Sequence, residues 1–165
     1  MLHYIYTRPI GWVIGGMVLG LVGWGVAAAH IDARRWRRVN LLLAVAALMA
    51  IVYATVLSRS EGGSGIILTP FTAIVAARQQ SEFYRKMLMN VFLFFPLGLT
   101  LSNALPQKWH RWVRIALTTP VGCILSAGIE YAQYRYALGM AEVDDVICNT
   151  LGAFMARSSV PPRCS

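Results

Sequence analysis

Four of the chain's seven acidic residues lie between Glu130 and Asp145, in Glu130-Tyr-Ala-Gln133 and Glu142-Val-Asp144-Asp145-Val-Ile-Cys-Asn149. Both segments border apolar sequence, where an ionisable group is costly unless it has a partner or a task. Carboxyls gathered at one locus push each other's pKa upward, which favours a shared proton or a bound cation. Glu130 and Gln133, at i and i+3, share one face of a helix, and Ser126 and Gly122 continue that face. Asp145, Asn149 and Gly152, at i, i+4 and i+7, share a face of the next helix. With Asn90 at the start of an earlier apolar run, the candidate cluster is Asn90, Glu130, Gln133, Asp144, Asp145 and Asn149.

Each residue also has a plainer reading. Asp144 fits the N-cap of a final helix, where its carboxylate would satisfy free N–H groups. Asn90 and Asn149 fit interhelical hydrogen bonds, and Gly152 fits a packing notch. Glu130 could pair with Arg135 or an amide, but a carboxylate about one turn inside apolar sequence is a site by default.

The elements that must position these groups are membrane helices. Of the 165 residues, 57% are apolar and 13% charged, with a mean hydropathy of +0.55, far from an ordinary soluble domain. Apolar runs at Ile10 to Ala29, Val39 to Leu57, Met87 to Leu105 and Val113 to Gln133 each approach the roughly 20 residues that span a bilayer. The expected fold is all-α: a single polytopic membrane domain over residues 1–165 with four spans and a short fifth helix. That fifth segment, Val146 to Ala156, either just spans or is re-entrant before Pro161 and Pro162 stop it.

The net charge of +8 resides between the apolar runs, with Arg34, Arg35, Arg37 and Arg38 in one loop and Lys108, Arg111 and Arg114 in another. This is the positive-inside pattern, so both loops are expected in the cytoplasm and the acidic cluster outside, with the inverted topology as the alternative because Arg59, Arg78, Arg85 and Lys86 lie on the other side. It shows no basic stripe or stacking platform for nucleic acid. Glu61-Gly-Gly-Ser-Gly65 reads as a flexible connector, and about residues 66–80, with Phe71, Ile74, Val75 and Arg78 at helical spacing, as an interfacial amphipathic helix. Gly16-x-x-x-Gly20 predicts close helix approach, with a partner either internal or a second copy. Trp12, Trp36, Trp109 and Trp112 read as interfacial anchors. Dispersed Cys123, Cys148 and Cys164 point to neither a disulfide framework nor a zinc site. No nucleotide, hydrolase or cofactor motif is present, so no cofactor is expected.

Three segments together resemble the VanZ-like family of bacterial membrane proteins: Asn90-Val-Phe-Leu-Phe-Phe-Pro96-Leu-Gly98, then Ser126-x-x-x-Glu130-x-x-Gln133, then Asp144-Asp145-Val-Ile-x-Asn149-Thr-Leu-Gly152-Ala. Thr69-Pro70-Phe71 resembles that family's Pro-Phe element, so the resemblance covers residues 68–156. It implies a multi-pass protein of the bacterial inner membrane, linked in the founding member to low-level resistance to the glycopeptide teicoplanin. The chain departs from the pattern at Gly139, where relatives carry Arg, and at Ala156-Arg157, where the last helix stops early. Two functions are consistent with the residues. In one, a noncatalytic envelope protein uses the outer cluster to bind or occlude a lipid-linked cell-wall precursor or a glycopeptide. In the other, Glu130, Asp144 and Asp145 hold Mg²⁺ for chemistry on a lipid-linked phosphate or glycan, although no nucleophile accompanies them.

Overall fold

The computed structural model describes residues 10–59, 62–71, 81–106 and 108–156. Helix α1 is Ile10–His30, α2 is Ala33–Val52 and continues through a π-helical turn, Tyr53–Leu57. Strand β1 is Gly63–Ile67; α3 is Ser81–Ala104 and α4 is Arg111–Arg135. Strand β2, Leu138–Glu142, leads directly into α5, Val143–Met155. The protein is thus mostly helical, as expected.

Among the described residues three helices are long and apolar enough to cross a membrane: Ala33–Leu57, Tyr84–Ala104 and Arg111–Arg135. The fourth expected span corresponds to α1, whose side chains are described only in part. At 13 residues, α5 reaches about 20 Å, short of the roughly 30 Å hydrocarbon core. The helices after α1 begin before the apolar runs that announced them. In particular, Arg34, Arg35, Arg37 and Arg38 belong to the first turns of α2 rather than to a loop.

α3 lies at the centre, packed against α2 on one side and α5 on the other, and α4 closes over α5. Ile51, Phe94, Leu97 and Ile129 form the apolar core, with Ala47, Val56, Leu93 and Leu125 against it. Outward-facing positions remain apolar: Leu42 is 71% exposed and Ile124 72%. A surface greasier than a soluble protein tolerates is what lipid-facing helices require. Pro96 leaves α3 unbroken, and the Thr100 hydroxyl donates to the Pro96 carbonyl at 2.8 Å.

The two strands pair in parallel, Gly63 with Leu138 through Ile67 with Glu142. Each strand follows one membrane-crossing helix and precedes another helix, so α2–β1–α3 and α4–β2–α5 form two similarly ordered units joined side by side. This corrects the sequence reading in two places. The segment read as connector and interfacial helix begins with a strand and a turn at Pro70-Phe71, while the rest of that predicted helix, residues 72–80, lies outside the described residues. The stretch between Tyr134 and Asp145 is a strand rather than a simple turn. Ladder pairing explains the difference, because each short segment satisfies its backbone groups only beside the other.

The glycines of α1 settle one of the two alternatives left open for their partner. A Cβ at Gly15, Gly16, Gly20, Gly23 or Gly25 would meet nothing within 4 Å, so the predicted close approach has no internal partner among the described residues. α1 instead touches the bundle through Trp24, whose ring centroid lies 4.8 Å from that of Trp36. Trp36 is 2% exposed and packs inside, not at an aqueous interface, whereas Trp109 and Trp112 are exposed.

Candidate functional site

The carboxylates meet where α3 begins, α4 ends, and β2 turns into α5. Lys86, in the second turn of α3, reaches Glu142 Oε1 at 2.7 Å and Asp145 Oδ2 at 3.3 Å. Its ammonium therefore joins the last residue of β2 to the first turn of α5. The backbone N–H of Glu142 donates to Glu130 Oε2 at 2.9 Å, tying α4 to the same strand end. Glu130 is buried and is not ion-paired with Arg135.

Asp144 does not cap α5. Glu142 occupies the N-cap position with extended backbone and makes no side-chain cap bond, while Asp144 lies in the first helical turn. The Asp144 Oδ1 instead accepts the Phe71 backbone N–H at 2.7 Å, pinning the turn after β1 to the start of α5. Phe71 has a positive φ of 65°, uncommon for a non-glycine residue. Asp144 and Asp145 also carry negative charge near the helix N-terminus, where the macrodipole favours it. Burial pushes the Asp145 carboxyl above its ordinary range, and the Lys86 ammonium pulls it back down.

Below this layer the amides act between helices. Asn149 Nδ2 donates to Ser126 Oγ at 2.8 Å, joining α5 to α4, and its Oδ1 has no partner. Gln133 Nε2 donates to the Thr55 carbonyl at 3.0 Å, joining α4 to the π turn of α2, and its Oε1 is likewise unpartnered. Asn90 lies on α3 one turn below Lys86, with its Nδ2 buried and unpartnered. It is not hydrogen-bonded into the carboxylate network. Deeper still, glycines close the bundle. A Cβ on Gly152 would collide with the Val91 backbone, one on Gly98 with the Ala153 backbone, and one on Gly122 would lie 2.6 Å from the Ala153 Cβ.

Sequence reasoning missed four participants: Lys86, Arg59, Thr55 and the Phe71 N–H. Lys86 had a legible signal, since it stands at i−4 from Asn90 and shares its face once α3 is extended back to Ser81. Arg59 had none. Its Nη1 would lie 2.8 Å from a Cβ built on Gly139, so a cation following α2 lies over the β2 position at which the chain departs from the family pattern. Among the described residues the polar cluster then holds four carboxylates, Glu130, Glu142, Asp144 and Asp145, against Lys86 and Arg59. Such a surplus suits ligands rich in hydroxyl, amide or ammonium donors. No group of three or more His, Cys, Asp or Glu is placed to hold a metal ion among the described residues.

The family model described as VanZ/LLP1 matches residues 39–159, from early α2 past the end of α5. Protein VanZ of Enterococcus faecium is 34% identical over 88 residues, 53% of this chain and 47% of that protein. The chain thus spans about half the length of this curated relative. No solved structure matches.

Proposed function

The chain belongs to the VanZ/LLP1 family, and on that premise we propose that it is a noncatalytic protein of the bacterial inner membrane that modulates glycopeptide susceptibility through its outer polar cluster. The cluster binds or occludes a donor-rich envelope component, a lipid-linked cell-wall precursor or the glycopeptide teicoplanin. One observation carries the reading: the Lys86 clamp between Glu142 and Asp145, with Glu130 on the Glu142 N–H, holds a net-negative site at helix ends. The Lys86–Glu142 pair is partly open to solvent, with 31% of the Lys86 and 18% of the Glu142 side chain exposed, so an arriving ligand can compete for it, whereas the Asp145 partner is buried. The rigid glycine-lined layer beneath supports the same reading, because a site resting on packed helices holds its geometry. Nothing in the arrangement favours the Mg²⁺ enzyme over this reading.

The test is susceptibility to teicoplanin in a bacterial host that expresses the protein. Glu130→Gln, Asp145→Asn and Asn149→Ala are each expected to abolish the effect at near wild-type membrane abundance. The Gln and Asn replacements are near-isosteric and remove charge without opening a cavity. Full effect in all three variants at normal abundance would assign the cluster to packing alone.

A further inference from the structure

The opposite end of the bundle is built on different terms. α5 stops at Met155, and its Ala153 sits against Gly98 of α3 and Gly122 of α4. Arg114 shares the buried face of α4 with Thr118, Gly122 and Ser126, and lies about 12 Å of helix rise beyond Gly122 toward the basic end. α5 therefore ends before that level. The interior there contains polar side chains instead of a fourth helix: Asn40 is 0% exposed, Ser102 1% and Arg114 5%. Arg37 Nε, donating to the Ala104 carbonyl at 2.8 Å, ties the start of α2 to the end of α3 and fixes these residues at one end.

These groups have unspent hydrogen-bonding capacity. The Arg114 Nε and the Ser102 Oγ are buried without partners, and Arg114 forms no ion pair with any described residue. Of the acidic residues whose side chains are described, four are in the outer cluster, and Asp32 at this end is 81% exposed and 4.0 Å from Arg35. A donor such as Arg114 Nε, removed from water without an acceptor, is costly and is relieved by any acceptor that reaches it. Arg is also the side chain best suited to grip phosphate oxygens through a planar fork of donors.

We propose that Arg114 anchors a phosphate-binding site at the basic end of the bundle, with the Ser102 hydroxyl as a further donor. The phosphate is that of an anionic lipid headgroup or of a soluble ester. Lys108 and Arg111, exposed beside the α3–α4 connection, flank the approach and raise the local concentration of anions. The site is separate from the outer cluster, being divided from it by the Gly98, Gly122 and Ala153 layer.

The experiment measures thermal unfolding of the full chain in neutral detergent during titration with three probes at constant ionic strength. They are phosphatidylglycerol, inorganic phosphate, and diglucosyl diacylglycerol, which has two acyl chains and no phosphate. Phosphatidylglycerol is expected to raise the midpoint saturably, with Arg114→Gln weakening its apparent affinity about tenfold or more and Arg35→Gln leaving it unchanged. A response to phosphatidylglycerol alone identifies a headgroup site, and a response to inorganic phosphate as well identifies a soluble ligand. Should Arg114→Gln not fold, Ser102→Ala and Arg114→Lys take its place, each expected to weaken binding severalfold. The proposal is overturned by an equal response to the phosphate-free lipid, by no response to either phosphate probe, or by wild-type affinity in the variants that fold.

Discussion

α1 and the α3–α5 pair use the same residue type for opposite ends. Gly15, Gly16, Gly20, Gly23 and Gly25 of α1 face open space, while Gly98 and Gly152 are pressed against a neighbour's backbone. Small residues in a membrane helix permit close approach but do not cause it. What distinguishes the second set is its surroundings. Val91, Ala153 and the Asn149–Ser126 hydrogen bond draw α5 onto α3 and α4, and the polar cluster above depends on that register. Glycine in α1 leaves a smooth surface that no neighbour among the described residues touches; glycine in α3 and α5 sets the height at which the carboxylates meet Lys86.

The largest expected effect breaks this comparison directly. Gly152→Leu places a side chain in the Val91 backbone and is expected to cost about 3 kcal/mol or more, the upper range for overpacking, because backbone cannot yield as a side chain can. Gly16→Leu is expected to change stability by less than about 0.5 kcal/mol, as for an unconstrained surface position. Detergent-solubilised thermal or denaturant unfolding of both variants decides it. Equal losses would mean that α1 packs as closely as α5.

Next in size is the clamp that the packed glycines support. Lys86→Met leaves Glu142 and Asp145 without their cation and is expected to cost about 2 kcal/mol, in the range for hydrogen bonds to charged groups. Adding Asp145→Asn should recover part of that loss, because the remaining uncompensated charge is then removed. A double variant as unstable as the sum of the two single ones would show that Lys86 and Asp145 are not coupled.

How much of this was legible in the sequence depends on the kind of interaction. Glu130, Gln133, Asp145 and Asn149 were readable as ionisable or amide groups at helical spacing in apolar sequence, and the three-part motif indicated the family. The tight packing at Gly152 was readable as a notch on the face of Asp145 and Asn149, whereas Gly16, in a Gly-x-x-x-Gly pair, packs on nothing described. The parallel pairing of Gly63–Ile67 with Leu138–Glu142 was not, because its partners are far apart in the chain and each is too short to announce a strand. For the same reason Asp144 looked like a cap: its true partner, the Phe71 N–H, is brought beside it only by that pairing. Arg59 over Gly139 likewise depends on tertiary placement alone.

A smaller effect is expected at the amide that joins α5 to α4. Asn149→Ala removes the bond to Ser126 Oγ and leaves a hydroxyl that can turn to a backbone carbonyl of its own helix, for a loss of about 1 kcal/mol. In a double-mutant cycle with Ser126→Ala, the coupling measured by unfolding should be of similar size. Zero coupling would remove Asn149 from the forces that hold α5 in register.

The smallest expected effect is at Gln133, the amide that holds α4 to α2. Gln133 is 1% exposed, and only one end of its amide is used: Nε2 donates to the Thr55 carbonyl, whereas Oε1 is buried without a partner. Replacement by Met keeps length and flexibility, so it opens little cavity. It forfeits one hydrogen bond, about 1 kcal/mol net, but also removes an unsatisfied buried oxygen whose desolvation costs about the same or more. The two terms oppose, and Gln133→Met should shift stability by less than about 1 kcal/mol in either direction. Gln133→Glu is the contrasting change: it would put a carboxylate oxygen in place of the donor facing the Thr55 carbonyl, so it should be clearly destabilising. If unfolding instead shows Gln133→Met to cost as much as Lys86→Met, Oε1 has an acceptor role that the α2–α4 contact alone does not supply. Gln133 would then belong with the ion-paired cluster above it rather than with the packing below.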